Sequence, residues 1–382
     1  MGAISFDLGE ERELLRQEVR RFAEERIRPG LQERDRGHVF PQDLVAEMGE
    51  LGLLGMMVSE DYGGAGYDVL SYLVAIEEIS RVCPSLGVTM SVTNSVCCWP
   101  IERFGSEALK RRVLPDLAAG RTLGAFGLTE PGAGSDPAGM TTTAIRDGDA
   151  WVLNGEKAWI TNAGFAGVYV VMARTDPDAG KRGITAFVVE ADAPGLAVGA
   201  SEEKLGLKAS RTAQVYFNGC RVPAANVLGD EGAGLRIAFA TLGHSRLGIA
   251  AQAVGMHQRA LELAVAYARD RVQFGVPIAR HQAIQLKIAE MATELAAART
   301  LVRYAALQEQ SATAARLAAE AKVYASEAAN RACYEAVQIH GGNGFSEDYE
   351  VARLYRDVRV TTIYEGTSEM QRQVIARDLL GA

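Results

Sequence analysis

Near the end of the chain the stretch YEGTSEMQ, residues 364 to 371, sets a carboxylate, Glu365, between an aromatic and a glycine, just ahead of a helix-start pattern. Two roles are open to it. Ser368 and Gln371 fit the S-x-x-Q capping box, so a helix is expected from about Glu369, and an acid just upstream is favoured by the positive end of the helix dipole. The other role is proton acceptor, because Gly366 lacks a Cβ and lets a ligand approach the backbone beside the carboxylate. Local pattern favours the first role, since acids are enriched at helix starts.

Four further stretches carry candidate chemistry. GLTEPGAGSD, Gly127 to Asp136, combines small residues, a proline and a hydroxyl in a loop whose N–H groups could cradle a phosphate or a ring edge. It is no nucleotide fingerprint: G-x-G-x-x-G is absent there and GxxxxGK[ST] is absent throughout. NGEKAWITNA, Asn154 to Ala163, reads as a hairpin turn followed by a strand with Trp159 and Thr161 on one side, either a wall for a flat heteroaromatic group or a buried tryptophan. RDRVQFGVPIARHQ, Arg269 to Gln282, ends one helix and begins another; Arg271 could hold a phosphate, with Gln273, His281 and Gln282 as hydrogen-bonding neighbours. QIHGGNGF, Gln338 to Phe345, reads as a glycine-rich αL-type helix stop that needs no function.

The elements that must position these residues fall into three blocks. Up to about Gly120 the text is helical from Phe6, with Leu15, Val19 and Phe22 on one stripe, Pro29-Gly30 closing that segment, and a mixed-sign charge run expected as a solvated face. Between Thr122 and Gly229 short β-branched and aromatic runs broken by Asp-Gly, Asn-Gly and Pro predict a compact β domain. After Gly234 three long Ala-rich helices and a final one make the count of a four-helix bundle. The expected domains are 1–121, 122–229 and 230–382, an α+β multidomain chain.

Bulk properties narrow the function. The 382 residues are 48% hydrophobic and 23% charged, with mean hydropathy −0.01, as in ordinary soluble proteins. No apolar run reaches the roughly 18 residues of a membrane span, and the acidic N-terminus has no signal pattern, so a cytoplasmic protein is expected. A net charge of −8 argues against nucleic acid as partner. The five cysteines show no C-x-x-C and the five histidines no H-x-x-x-H, so neither a metal nor a disulfide framework is expected.

Taken in order, GLTEPGAGSD, GEKAWITNA, RDRVQFG with His281-Gln282, QIHGGNGF and IYEGTSEMQR resemble the acyl-CoA dehydrogenase family of flavoenzymes, and the resemblance covers nearly the whole chain. It implies a helical N-terminal domain, a middle β-barrel-like domain and a C-terminal four-helix bundle, in a homotetramer built as a dimer of dimers. FAD would lie between the β domain and the bundle, completed by a neighbouring subunit. By that resemblance Phe126, Leu128, Thr129 and Ser135 line the flavin or its ribityl chain, and Trp159 and Thr161 wall the ring. Arg271, Gln273, Phe274, Ile278, His281 and Gln282 match the pyrophosphate and adenine half; Gln338 and Gly342 contribute across the interface, and Thr367 and Glu369 are further cofactor contacts.

The resemblance makes Glu365 the catalytic base in α,β-dehydrogenation of an acyl-CoA thioester, a step of fatty-acid metabolism. The base takes the α-proton while the β-hydrogen leaves as hydride to flavin N5, with the thioester oxygen held by the base residue's own N–H and a ribityl hydroxyl. Sealing the cleft is expected to raise the Glu365 pKa toward neutrality: burial can move a pKa by several units, each about 1.4 kcal/mol, whereas a helix-terminus effect is roughly 0.3 to 1 kcal/mol. Some relatives carry the base immediately before the arginine matching Arg246; here that position is Ser245, which cannot serve. Glu130 is the remaining acid to be accounted for, as base or as loop scaffold.

Ser135, Arg246 and Arg377 match contacts to the CoA portion, and Ser245, Tyr364 and Gly366 complete the expected substrate set. The family often has aspartate three positions before that arginine, where this chain has Gly243 followed by His244, so a carrier-protein thioester competes with CoA as substrate. TMSVTNSVCCWP, Thr89 to Pro100, should line the acyl pocket, with Val92 in the wall and Trp99 shortening it if turned inward, which suggests a short or branched chain. An acyl-CoA oxidase shares the fold but is generally longer. Electron-transferring flavoprotein is the acceptor the family implies.

Overall fold

The computed structural model describes residues 7–381, so the first six residues, Phe6 among them, and residue 382 lie outside the described part. Seven helices come first: α1 (Gly9–Phe22), α2 (Leu31–Gly37), α3 (Gln42–Glu50), α4 (Val69–Val82), α5 (Pro84–Ser91), α6 (Trp99–Phe104) and α7 (Glu107–Ala118). Val19 and Phe22 are buried as their spacing predicts. The charge run of α1 is not wholly solvated, however: Arg16 and Arg20 reach across to the buried carboxylate of Glu78 on α4, Arg20 at 2.8 Å.

Between α5 and α6 the chain makes a π-helical segment, Val92–Cys98, a widened turn that recurs at functional sites. Its cause is local. Thr89, Thr93 and Ser95 hydroxyls donate back to the carbonyls of Ser85, Thr89 and Ser91, which loosens and bends a helix. Asn94 pins the segment to the turns that follow α3 through the Met56 N–H and the Leu53 carbonyl, both at 2.9 Å.

The middle of the chain forms one eight-stranded sheet from β1 (Leu123–Gly127), β2 (Thr143–Asp147), β3 (Ala150–Thr161), β4 (Ala166–Arg174), β5 (Ile184–Glu190), β6 (Leu196–Ser201), β7 (Thr212–Pro223) and β8 (Val227–Leu228). Its order is β6-β7-β3-β2-β4-β5-β8, with β1 parallel to β4. The turn expected at Asn154-Gly155 is absent. β3 runs straight through it, and the pair instead sits at a register shift against β7, with Gly155 at φ 140°; the hairpin turn lies earlier, at Gly148. A second shift between Lys157 and Ile160 puts Trp159 at φ 61°, a bulge that re-aims one side chain.

The C-terminal helices are α8 (Gly234–Asp270), α9 (Gln282–Leu307), α10 (Ala314–His340), α11 (Glu350–Val358) and α12 (Ser368–Leu380). A two-stranded hairpin, β9 (Val272–Gln273) and β10 (Val276–Pro277), joins α8 to α9, and the sequence pattern predicts neither it nor α11. The stop after α10 is not αL: Gly341 has φ 59° and ψ −137°, a region reserved for glycine, and a 3-10 turn over Gly341–Phe345 follows. The final helix starts at Ser368, with Thr367 as its cap, its hydroxyl accepting from the Met370 N–H. The cap therefore sits one residue earlier than Ser368; with Met370 three residues on no capping box forms, and Gln371 is free for another task. No helix among the described residues is long and apolar enough to cross a membrane, and no cluster of metal-ligating side chains occurs among them.

Candidate active site

Glu365 occupies the tip of the turn between the 3-10 segment Arg359–Thr362 and α12. Its backbone is left-handed, φ 52°, and Gly366 follows at φ 94°, conformations that cost a non-glycine residue energy and persist only when the surroundings enforce them. Three hydrogen bonds from two side chains enforce them here. Gln371, on the first turn of α12, donates to the carbonyls of Glu365 and Gly366, at 3.1 and 2.9 Å, and Lys322 on α10 donates to the Gly366 carbonyl at 2.7 Å. A Cβ at Gly366 would stand 2.5 Å from Gln371 Nε2, so the glycine is needed for this clamp as well as for access.

The Glu365 side chain points toward α8, where Ser245 Oγ donates to its Oε2 at 2.6 Å. The residue as a whole is half-buried, and protein surrounds its carboxylate. Burial pushes its pKa up to about 7, against the Ser245 hydrogen bond and the positive charges of Lys322 and Arg246, all of which lower it. Ser245, unfit as a base itself, thus serves as the hydrogen-bond partner of the candidate base. No acceptor meets the Glu365 backbone N–H among the described residues.

Arg246 is buried and its Nε has no partner among the described residues. A buried guanidinium nitrogen without an acceptor is expensive, which makes Arg246 a candidate for contact with a bound group. Above the carboxylate, Tyr364 donates its hydroxyl to Gln252 Oε1 and packs with Val88, Val92, Val96, Leu207, Val360 and Phe126 in a separate apolar cluster. Val92 thus packs in the apolar cluster that includes Tyr364, the residue before Glu365. Trp99 does not: its ring stacks on His244 at 4.7 Å, apart from that cluster.

The β-domain candidates gather on the same side. Phe126 ends β1 in the apolar cluster, Leu128 and Thr129 begin the loop, and the Thr129 carbonyl accepts from the Ala158 N–H at 2.9 Å, bringing Trp159 and Thr161 beside it. Trp159 is 60% exposed and Thr161 half-buried, flanking buried Ile160. So large an aromatic held open by a strained backbone is a platform rather than a core residue. Ser135 is exposed farther along the loop. Glu130 is scaffold and not base: it is buried, ion-paired with Lys157 at 2.7 Å, and accepts from the N–H groups of Thr141 and Thr142.

A second group lies elsewhere. Arg271, Gln273, Phe274 and Gln282 are exposed on the hairpin and the start of α9, His281 sits edge-on to Phe274, and Ile278 is buried beneath. Gln338 and Gly342 are also exposed at the far end of α10, held near the end of α8 by the Tyr267–His340 stack. Along α10 they stand roughly 24 Å from Lys322 at the helical rise of about 1.5 Å per residue. One chain does not bring this group to Glu365. Thr367 and Glu369 instead line a cavity of about 420 Å³ with Asn330, Arg331, Arg359 and Thr362, and Arg377 is exposed on α12.

Tested against these surroundings, a flavin dinucleotide fits. There is an exposed indole, an apolar wall, a buried guanidinium nitrogen without an acceptor and a hydroxyl-lined cavity in which Arg331 and Arg359 face Glu327 and Glu369, and Gly132 and Gly134 have open space where a Cβ would stand. Lys322 and Gln252 join the site without a place in the motifs that point to it, and Gln371 joins it from within YEGTSEMQ in a role that the motif does not show. Lys322 carries one visible signal, a lone lysine inside an Ala-rich stripe; Gln371 reads in sequence as a cap partner.

Comparison with known proteins agrees with this architecture. The acyl-CoA dehydrogenase N-terminal, middle and C-terminal domain models match residues 9–121, 125–220 and 232–380. The chain is 49% identical to an acyl-CoA dehydrogenase of Bacillus subtilis, over 97% of this chain and 98% of that one. It is 48% identical to the mitochondrial short-chain specific acyl-CoA dehydrogenase of Mus musculus, over 98% and 92%. It superposes on butyryl-CoA dehydrogenase from Megasphaera elsdenii with TM-score 0.97 at 43% identity, covering 99% of this chain and 100% of that one. The chain belongs to the acyl-CoA dehydrogenase family, and is by that membership an FAD-dependent oxidoreductase acting on the CH–CH bond of acyl-CoA thioesters.

Proposed function

We propose that this enzyme oxidises short-chain acyl-CoA thioesters to their trans-2-enoyl products, with Glu365 removing the α-proton. The observation that carries this reading is the half-buried Glu365 carboxylate, held by Ser245 and raised to about 7, since a base poised near the working pH transfers protons best. The left-handed turn aims the carboxylate at the cleft and leaves the Glu365 N–H free for the thioester oxygen, where enolate charge develops. Tyr364, Val92 and Val96 exclude water from one side of the acyl chain. When bound, FAD supplies the acceptor for the β-hydride.

The cofactor set read from the sequence supports this assignment: Phe126, Leu128, Thr129, Trp159 and Thr161 at the ring, Thr367 and Glu369 at the hydroxyl-lined cavity. The exposed hairpin and helix end, with Phe274 93% and Phe345 91% exposed, suit contact with another subunit, where Arg271, Gln273, His281, Gln282, Gln338 and Gly342 hold the cofactor's far half in a homotetramer. Substrate contacts are Ser135, Ser245, Arg246, Tyr364, Gly366 and Arg377, the acceptor is an electron-transferring flavoprotein, and the compartment is the cytoplasm. The short-chain preference rests on the small apolar cluster beside Tyr364 and not on Trp99.

Anaerobic titration of the yellow protein with butyryl-, isobutyryl- and octanoyl-CoA tests the reading. Complete bleaching with the four-carbon thioesters and little with the eight-carbon one is expected, at about 0.8 kcal/mol for each methylene misplaced. Bleaching by none of them, with reduction by a carrier-bound acyl group, overturns it.

A further inference from the structure

Lys322 lies wholly buried on α10 with no carboxylate in ion-pair contact among the described residues. The other fully buried lysine, Lys157, has Glu130 at 2.7 Å. An ammonium taken out of water without a counter-ion is disfavoured strongly enough that such groups normally lose their charge or gain a partner. Among the described residues the single bond that holds Lys322 is to the carbonyl of Gly366, the residue after the proposed base. That carbonyl also accepts from Gln371, so two donors fix one peptide group in the left-handed turn.

The charged groups facing the ammonium come from every element around it: Glu365 from the turn, Glu369 from α12, Arg246 from α8 and Glu327 from α10 itself. Glu365 acts on it most strongly among these. The two cations Lys322 and Arg246 flank one carboxylate that neither of them touches. Charges at such separations still act strongly where water is thin.

We propose that Lys322 is a positioning residue for Glu365: clamped on the Gly366 carbonyl, it locks the turn that presents the carboxylate and supplies the positive charge that keeps the base ionised once substrate seals the cleft. This rests on the reading of Glu365 as the proton acceptor. A cation bonded directly to the carboxylate would hold it permanently as a weak base, whereas one bonded to the next carbonyl favours the ionised form and leaves both carboxylate oxygens usable. The cation stays on its carbonyl while the proton arrives, so no side chain has to move.

The test compares wild type with Lys322→Met and Lys322→Arg in pre-steady-state flavin reduction across pH 5.5 to 9.5, with flavin content and thermal midpoint measured on each. In Lys322→Met the apparent pKa of reduction should rise by about one unit, so that the rate at pH 6.5 falls about tenfold and the rate at pH 9 far less; Lys322→Arg should restore the wild-type profile. Infrared difference spectra against Glu365→Gln follow the same carboxyl without turnover and should show the same rise. If Lys322→Met does not accumulate folded, Lys322→Gln, which keeps an N–H for the Gly366 carbonyl, should show the same shift. An unchanged apparent pKa in either uncharged variant overturns the proposal, including the case of an equal loss at every pH. Failure of the base assignment would look different: Glu365→Gln itself would still reduce its flavin.

Discussion

Two buried Glu–Lys arrangements sit in this molecule, and they behave in opposite ways. In the β domain, Glu130 bonds Lys157 Nζ at 2.7 Å and also accepts from the Thr141 N–H, the Thr141 hydroxyl and the Thr142 N–H. Burial works to raise it, yet Lys157 and the surrounding donors bring its pKa down to about 2. At the C-terminal turn, Glu365 has one hydroxyl donor and two cations beyond contact, and burial prevails, carrying it to about 7. Both lysines are pulled to about 8, chiefly by burial. The difference lies in contact: Lys157 touches its carboxylate and is joined there by backbone and hydroxyl donors, whereas Lys322 bonds a neighbouring carbonyl and leaves Glu365 with one hydroxyl donor among the described residues. A carboxylate saturated by donors is architecture, and one left nearly bare is chemistry.

Within the Glu130–Lys157 pair the two partners fare differently: the acid gains from the contact, while the lysine's desolvation outweighs the same attraction. Buried pairs commonly contribute little net stability yet are damaging to break. The loop from Leu128 to Thr142, which leads to the Trp159 platform, is held in one conformation by this pair and its threonine donors.

The largest expected effect separates the two carboxylates outright. Glu365→Gln should lower the rate of flavin reduction by roughly 10²- to 10⁴-fold, the contribution typical of a positioned general base, with flavin content and thermal midpoint near wild type. Glu130→Gln should leave the flavin-loaded enzyme able to reduce its cofactor. Next comes Lys157→Met, which strands a buried carboxylate and should destabilise the fold by about 3 to 5 kcal/mol in urea unfolding; pairing it with Glu130→Leu should recover part of the loss, a coupling measured by the double-mutant cycle.

The pH dependence of stability should carry opposite signs. Glu130 has a folded pKa of about 2 against an ordinary 4.5, so its contribution is present above pH 4.5 and is lost as pH falls toward 2. Glu365, raised from 4.5 to about 7, binds its proton more tightly when folded, so stability should decline as pH rises from 4.5 to 7. Urea midpoints of wild type, Glu130→Gln and Glu365→Gln over pH 3 to 8 separate the two slopes. The smallest effect is at Ser245. Ser245→Ala removes the one side-chain donor to Glu365, so the apparent pKa of flavin reduction should move further above 7, with about a threefold slower rate at neutral pH.

Much of this contrast is legible in the residues themselves. The three blocks follow from a change in hydrophobic period, and the β domain could not be mistaken for helix because its turns carry Asp-Gly and Pro. Glu365 is singled out by the glycine beside it, but local pattern favours a helix-start role, and only the resemblance makes it the base and draws attention to Ser245. What stays hidden depends on long-range contacts. Asn154-Gly155 has a hairpin signature, but pairing with β7 draws it into a continuous strand with a bulge. Gln371 matches a capping box in one dimension, whereas in three it holds the turn carrying the base. Lys322 is 43 residues from Glu365 in sequence, and only the packing of α10 on that turn brings its charge to bear.

The role of Glu365 is tested most directly by how the rate of flavin reduction by butyryl-CoA depends on pH in the wild-type enzyme, measured by anaerobic stopped flow in one turnover. A rate that climbs with pH through an apparent pKa near 7 and then levels, with the climb absent from the residual rate of Glu365→Gln, is the predicted result. A flat profile from pH 5 to 9, or a midpoint near the ordinary carboxylate value of 4.5, would contradict it.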